Sequence, residues 1–272
     1  MKVAITGASG FVGTALQKIF PEYVSIHRND DEVEILQKLQ GVDVVINLAG
    51  APIIKKWNDE YKKVLYSSRI DTTKMLVSAI NKSDVKQFIS TSAVGIYPDD
   101  KVCDETTKEI APDFLGSLAS AWEAEALTCN KPTTILRFGV IMGANGGALS
   151  QMLFPFRLGV GGIIGDGKMM TSWIDLDDLM RIYEFVIENK LEGIFNATAP
   201  QPVSNYKFTK SLGSVLHRPT IFPLPIFVLK LIYGEASTVL TGSKEVYPRA
   251  LMNAGFKFRY NDIYSSLSHI LG

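Results

Sequence analysis

The sequence predicts an α/β fold, a doubly wound parallel sheet followed by a smaller C-terminal substrate lobe. Three observations predict it. Short apolar runs alternate with amphipathic helical patterns through the first two hundred residues. A strand, a glycine turn and a helix follow one another at the very start. From Pro200 onward the composition changes, with four prolines between Pro202 and Pro225.

Lys2–Thr6 is a short β-branched run of the kind that forms a buried parallel strand. It runs into Gly7-Ala8-Ser9-Gly10-Phe11-Val12-Gly13, and Thr14–Phe20 then reads as a helix. The three glycines have distinct tasks: Gly7 turns the chain, Gly10 admits a close anion, and Gly13 lets the helix approach the strand. Free amides and the positive end of the helix dipole then face a phosphate. The alternative is a generic tight connection. The position of the motif, at the seventh residue and directly after a strand, favours a dinucleotide cradle.

Tyr23–His27 is the second strand, with Arg28 just past its end. An arginine there can pair with the 2′-phosphate of NADP, whereas NAD calls for a carboxylate on the ribose. Arg28 favours NADP, while Asp30 and Asp31 keep NAD open. Glu32–Gln40 is helical, and Asp43–Leu48 is a strand running into Ala49-Gly50-Ala51-Pro52. The short passage from Arg28 to Asp43 leaves little room for an outer third strand. Trp57 and Tyr61 sit in a polar stretch, either at a substrate mouth or packed on a neighbour. Arg69–Lys82 is an amphipathic helix.

Lys86–Ser90 begins another strand, ending in Ser90-Thr91-Ser92-Ala93-Val94, where doubly wound sheets bind ligands. Ser92 is the candidate to hydrogen-bond a reacting oxygen; its other reading is a turn cap. Pro112–Leu127 is a helix, and Thr133–Met142 is strand material. The glycine-rich stretches Gly143–Gly147 and Gly159–Gly167 read as mobile loops over a pocket, with no helix following in cradle fashion. Asp175–Glu188 is a helix, Gly193–Ala197 a last strand, and Ile226–Leu240 helical. The predicted division is a nucleotide domain over residues 1–198, with 143–170 contributing to the substrate lobe, and a small lobe over 199–272.

Composition narrows the classes. Of 272 residues, 28 are basic and 28 acidic, so no basic block exists to track nucleic acid. Two cysteines, Cys103 and Cys129, have neither disulfide nor metal spacing, so no metal is expected and a reducing compartment fits. Ile221–Ile232 is too short and interrupted to span a bilayer. With a strand read from the second residue, no leader is expected, and a cytoplasmic protein without membrane partners is the expectation. The expected partner is a small-molecule substrate, with a homodimer as an open option.

Together these landmarks resemble the extended short-chain dehydrogenase/reductases, more closely their atypical NAD(P)-dependent epimerase-family group. The residues carrying the resemblance are GASGFVG, VINLAGAPI at Val45–Ile53, SRIDTTKMLVSAI at Ser68–Ile80 and SAVGIYP at Ser92–Pro98. LRFGVIMGANGGAL at Leu136–Leu149, SWIDLDDL at Ser172–Leu179 and FNATAPQPVSN at Phe195–Asn205 extend it. The tail, PLPIFVLKLIYGE at Pro223–Glu235 through LMNAGFKF at Leu251–Phe258, is similar to the small C-terminal domain of that group.

The resemblance implies a Rossmann domain binding NADP, or NAD. Gly7, Ser9, Gly10, Phe11, Val12 and Gly13 would hold the pyrophosphate and Arg28 the 2′-phosphate. Leu48, Ala49 and Gly50 would line the adenosine side, Ser90 and Ser92 the nicotinamide, and Phe138, Gly139 and Val140 the wall behind it. One departure is large. The family's Tyr-x-x-x-Lys pair, in which lysine lowers the tyrosine pKa, is replaced by Leu115 and Ala119 when Glu123 is aligned with the family's glutamate. Tyr97 is the one tyrosine near the gap, and a packed turn residue is its other reading. Two functions therefore stand: an oxidoreductase or epimerase acting on a carbonyl or sugar-like hydroxyl, or a non-catalytic NADP(H) sensor or scaffold. A hydrolase reading is poor, with scattered histidines and no G-x-S-x-G elbow.

Overall fold

The computed structural model describes all residues, 1–272. In chain order the nucleotide-binding part comprises β1 (Val3–Thr6), α1 (Phe11–Ile19), β2 (Tyr23–Ile26), α2 (Glu32–Lys38) and β3 (Val44–Asn47). Then come α3 (Asp59–Ser67), α4 (Ile70–Asn81), β4 (Gln87–Ala93), β5 (Lys101–Cys103), α5 (Phe114–Ala126), β6 (Thr133–Phe138) and β7 (Val140–Met142). After α6 (Gly147–Arg157), β8 (Met170–Thr171) and β9 (Trp173–Asp175), α7 (Leu176–Glu188) and β10 (Gly193–Ala197) return to the main sheet. The remainder is β11 (Val203–Ser204), α8 (Asn205–Val215), α9 (Ile226–Tyr233), α10 (Thr238–Thr241), β12 (Lys244–Val246), α11 (Arg249–Asn253) and α12 (Ile263–Leu271).

Six parallel strands form the central sheet in the order β10-β6-β4-β3-β1-β2. Only α2 lies between β2 and β3, so the outer third strand is absent and β2 is the edge. Alternation along each strand feeds two cores. Ile5, Ile46, Ile89 and Leu136 face α1 and α7, meeting Leu16, Leu179, Ile182 and Val186. Ala4, Val45, Phe88 and Ile135 face the other way, onto Ile35, Leu76, Ile80 and Ala126 of α2, α4 and α5. With both faces covered, the strands carry almost unbroken apolar runs.

A third core joins Leu149, Leu153 and Phe156 of α6 with Trp173, Phe208, Leu212, Ile263 and Leu267. This lobe therefore draws on residues 142–173 and on both ends of the C-terminal stretch. The stretch between them threads back: β12 pairs in parallel with β5, and Leu251 and Phe256 enter the α1–α7 core. Asp178 on α7, fully buried, accepts the amides of Arg259 and Tyr260 at 2.9–3.0 Å and the Arg181 guanidinium at 2.6 Å. A buried carboxylate needs such partners, and here they clamp the tail to the nucleotide domain.

The two glycine-rich stretches differ from expectation. Gly147 opens α6 directly, and the loop before it packs on the Phe11 ring. A Cβ at Gly143 or Gly146 would come within 2.6 or 2.4 Å of that ring. The second stretch lies against the C-terminal segment, with Gly165 N donating to Leu224 O at 3.0 Å and no room at Gly162 for a side chain beside Phe222 O. Both are packed seams between parts of the chain, because glycine here provides close approach rather than mobility.

Candidate functional site

The first half of the site is the turn between β1 and α1. Gly7 sits at φ +67°, and Gly13 lies so close beneath it that a Cβ would come 2.4 Å from the Gly7 carbonyl. The Gly10 amide closes the turn onto Gly7 O at 3.0 Å. Gly10 is also the N-cap of α1, so the helix begins inside the motif, three residues earlier than the sequence pattern suggests. It brings no capping side chain, and the first turn holds no acid. By contrast Asp31, Asn58, Asp113, Asp175 and Ser204 cap α2, α3, α5, α7 and α8 with side-chain oxygens. The leading amides of α1 are left for an acceptor from outside the chain.

The cradle opens into a groove of about 800 Å³ whose walls include Gly7, Ser9, His27, Arg28, Ala49 and Gly50. Arg28 is exposed at the end of β2 and has no carboxylate partner, while the two nearby acids are committed elsewhere. Asp30 accepts the His27 amide at 2.7 Å and pairs with Lys38. Asp31 and Glu34 form a capping box on α2. The cation therefore stands alone at this end of the groove. Thr6, on the floor, accepts the Leu48 and Ala49 amides at 3.0 and 3.1 Å and so shapes the chain leaving β3. Leu48 itself turns into the core side.

The second half lies at the carboxyl ends of β3, β4, β6 and β10, and its polar side chains bond to one another. The register sets Asn47 beside Ser90, and Ser92 beside Arg137 beside Asn196. Asn47 donates to Thr73 Oγ1 at 2.8 Å and to Ser90 Oγ at 3.3 Å, and Ser90 is wholly buried. Ser92 is 1% exposed and donates its hydroxyl proton to Glu123 Oε1 at 2.6 Å. Glu123 is held on both oxygens by Arg137, at 2.7 and 2.6 Å. Arg137 reaches Tyr97 Oη at 2.7 Å, and Tyr97 donates to Asn196 Oδ1 at 2.9 Å. The Asn196 amide group donates in turn to Tyr247 O at 3.0 Å.

Electrostatics hold the Tyr97 phenol and the Arg137 guanidinium in their protonated forms. Burial pushes the Tyr97 phenol up to about 12, against the pull of Arg137. Burial draws Arg137 down, but Glu123 overrides it and holds the guanidinium above its ordinary value. Ser92 has spent its single proton on a carboxylate, so toward any further group it can only accept. Ser92 and Tyr97 are thus bonded into one internal set of hydrogen bonds, beside a cavity of about 380 Å³ lined by Tyr97, Glu105, Glu123 and Arg137.

Across from the network, Leu115 and Ala119 occupy the α5 positions where a tyrosine and a lysine stand in the resemblance, and Ala119 is buried. Trp57 stacks edge-on to Phe114 at 5.3 Å and donates to Ile53 O, while Tyr61 donates to Pro52 O at 2.7 Å. These aromatics pack. Phe138 lies edge-on to Tyr183, Gly139 fits under Ser172 O, and Val140 belongs to β7, paired with β9. The Phe11 ring and Val12 side chain point into the packed interior, leaving only their backbone in the cradle. Sequence reasoning missed the Glu123–Arg137 pair and Asn196. A lone arginine inside the apolar run Ile135–Phe138 was the available signal, since a buried guanidinium requires a counter-charge.

Comparison with known proteins follows the same outline. The NAD dependent epimerase/dehydratase family matches residues 3–198, and a domain of unknown function (DUF1731) matches residues 224–270. The chain is 35% identical over 303 residues to the chloroplastic epimerase family protein SDR39U1 homolog of Arabidopsis thaliana, covering 100% of this chain and 87% of that one. It is 32% identical over 298 residues to mouse (Mus musculus) epimerase family protein SDR39U1, covering both in full. Among solved structures, human epimerase family protein SDR39U1 with NADPH superposes with a TM-score of 0.93 at 30% identity, over 100% of this chain and 99% of that one. No helix of the chain is long and apolar enough to cross a membrane.

Proposed function

The chain belongs to the NAD dependent epimerase/dehydratase family, and from that premise we propose that it binds NADPH and acts as an oxidoreductase or epimerase on a carbonyl or sugar-like hydroxyl. The observation that carries the reading is the uncapped start of α1 facing a groove that ends at Arg28. The solved human relative with NADPH supports it. The residues fit the cofactor on steric grounds as well. Side chains at Gly7 or Gly13 would collide with backbone, so at those two positions the turn carries no side chain.

In this reading the amides after Gly10 hold the pyrophosphate, Ser9 flanks it, and Arg28 pairs with the 2′-phosphate. Ala49 and Gly50 let the adenosine half lie against backbone. When bound, the nicotinamide supplies or accepts the hydride. The chain's own residues position the reaction: the Ser92–Glu123–Arg137–Tyr97–Asn196 bonds fix the ends of β4, β6 and β10 relative to one another and to α5. A tyrosine–lysine pair does not manage the proton, because Leu115 and Ala119 carry none. The compartment proposed is the cytoplasm.

The same two side chains favour a second reading, a non-catalytic NADP(H) sensor whose small lobe meets a partner. Fluorescence titration with NADPH and NADH, followed by a panel of carbonyl compounds and nucleotide sugars, separates the two. Submicromolar to micromolar NADPH binding with turnover of one panel member is expected. Binding without any hydride transfer selects the sensor, and no binding of either nucleotide removes both.

A further inference from the structure

Exposed apolar side chains concentrate on the C-terminal lobe. Eighteen large hydrophobic residues of the chain are exposed, and eight of them fall within residues 154–160 and 221–232. Each of the eight is more than half exposed, and Leu231 reaches 79%. The two segments run side by side. Arg218 Nε donates to Arg157 O at 2.8 Å, Leu224 N to Ile163 O at 2.8 Å, and Gly165 N to Leu224 O at 3.0 Å. Pro219, Pro223 and Pro225 restrict the backbone of the second segment on its way to α9. On α9, Phe227, Lys230 and Leu231 share the exposed face, at i, i+3 and i+4, while Leu229 is buried on the other. A patch of this kind on a folded chain marks a surface that meets something.

Charge says what it meets. Residues 143–165 and 193–234 contain no aspartate or glutamate, although the whole chain has 28 acidic residues. The same stretches hold Arg157, Lys210, Arg218 and Lys230, all exposed and none in an ion pair. Lys210 Nζ is bonded to Thr220 O at 3.1 Å, which sets a further charge beside Ile221. Asp166 and Glu235, the acids that border these stretches, face Lys168 and Lys62. The cations alternate with the apolar groups: Arg157 stands between Phe156 and Leu158, and Lys230 between Leu229 and Leu231. Their aliphatic stems can lie along apolar surface while the charged ends reach outward. A second copy of the chain fits this face poorly. A two-fold interface would bring the same basic rim of each copy against itself. A lipid surface offers what the rim lacks, since phosphates lie directly above an apolar layer. At 8 residues α9 is too short to cross a bilayer, but it can lie in one leaflet's surface. The expectation of no membrane partner rests on crossing alone.

We propose that this face seats the protein on an anionic phospholipid surface. Phe222, Phe227 and Leu231 enter the bilayer interface, and Arg157, Arg218 and Lys230 meet lipid phosphates. The inference does not depend on the cofactor reading above.

Co-sedimentation of the full chain with vesicles tests it, using phosphatidylcholine alone and phosphatidylcholine with about one-third phosphatidylglycerol. Wild type is expected to bind the mixed vesicles about tenfold or more tightly than the neutral ones, and to be released as salt rises. Phe227→Ser combined with Leu231→Ser should weaken binding to mixed vesicles by about tenfold or more, because two apolar side chains leave the interface. Arg157→Glu combined with Lys230→Glu should weaken it by a similar factor and flatten the salt dependence. All four side chains are exposed, so melting temperatures close to wild type are expected, which separates lost docking from lost fold. No sedimentation of wild type with mixed vesicles overturns the proposal, as does equal sedimentation by wild type and both variants. Equal binding to neutral and mixed vesicles overturns it too, since the cations would then have no part. A wild-type dimer that Phe227→Ser with Leu231→Ser turns into a monomer, without vesicle binding, gives the patch to a second copy instead.

Discussion

The two halves of the strand-end surface are built on opposite principles. Around Gly7–Gly13 the backbone amides are left over, the side chains are removed, and the space is open. Around Ser92 each polar group named has a partner inside the chain, and the side chains are the structure. An open half keeps its hydrogen-bonding capacity for a ligand, whereas a closed half spends it on holding strands in place. The difference teaches that position at a strand end is not enough to make a hydroxyl reactive. What matters is whether its proton is free.

The largest effect should come from breaking the closed half. Arg137→Met leaves the Glu123 carboxylate buried without its cation. Both side chains are under a tenth exposed, so a loss of about 3–5 kcal/mol in unfolding free energy is expected by denaturant titration. Adding Glu123→Leu should recover much of it, because the orphan charge is then gone. Recovery would show that the pair serves the fold; none would mean that its geometry serves something else.

Next comes a charge placed in the open half. Ser9 is exposed beside the uncapped start of α1. In Ser9→Glu the new carboxylate complements the helix dipole, so thermal stability should hold or rise slightly. NADPH affinity should nevertheless fall by about 10- to 100-fold, since a like charge now meets the pyrophosphate. Opposite signs for stability and binding in one variant would be hard to obtain from a structural turn alone.

These variants also mark how far the sequence can be read. The glycine turn is legible because each glycine answers a local backbone constraint, within one short segment. The missing outer strand is legible from the length between Arg28 and Asp43. The Glu123–Arg137 bond is legible only on one side: Arg137 inside its apolar run asks for a counter-charge, but nothing local says that α5 supplies it. α6 is hidden for a related reason: glycines precede it and Pro155 lies in its last turn, so local propensity argues against it. Burial of Leu149, Leu153 and Phe156 against α8 and α12 outweighs that. Packing across long sequence separations decides these elements.

A smaller effect tests the far end of the open half. Arg28→Ala should weaken NADPH by about tenfold, roughly 1.4 kcal/mol, with NADH binding unchanged. Asp30 and Asp31 are tied to Lys38 and to the start of α2, so neither is free to replace the lost contact. Equal weakening of both nucleotides would mean that Arg28 reads something other than the 2′-phosphate.

The smallest expected effect is the sharpest on the comparison itself. Ser92→Ala removes one hydrogen bond to Glu123, whose oxygens both remain held by Arg137. The cost should be about 1 kcal/mol of stability, the worth of a single bond within an otherwise satisfied set. NADPH affinity should not move. With any substrate found, the turnover number should drop only modestly if Ser92 is a strut. A loss of a hundredfold or more, with stability down by the same 1 kcal/mol, would mean that the closed half opens during the reaction and releases that hydroxyl.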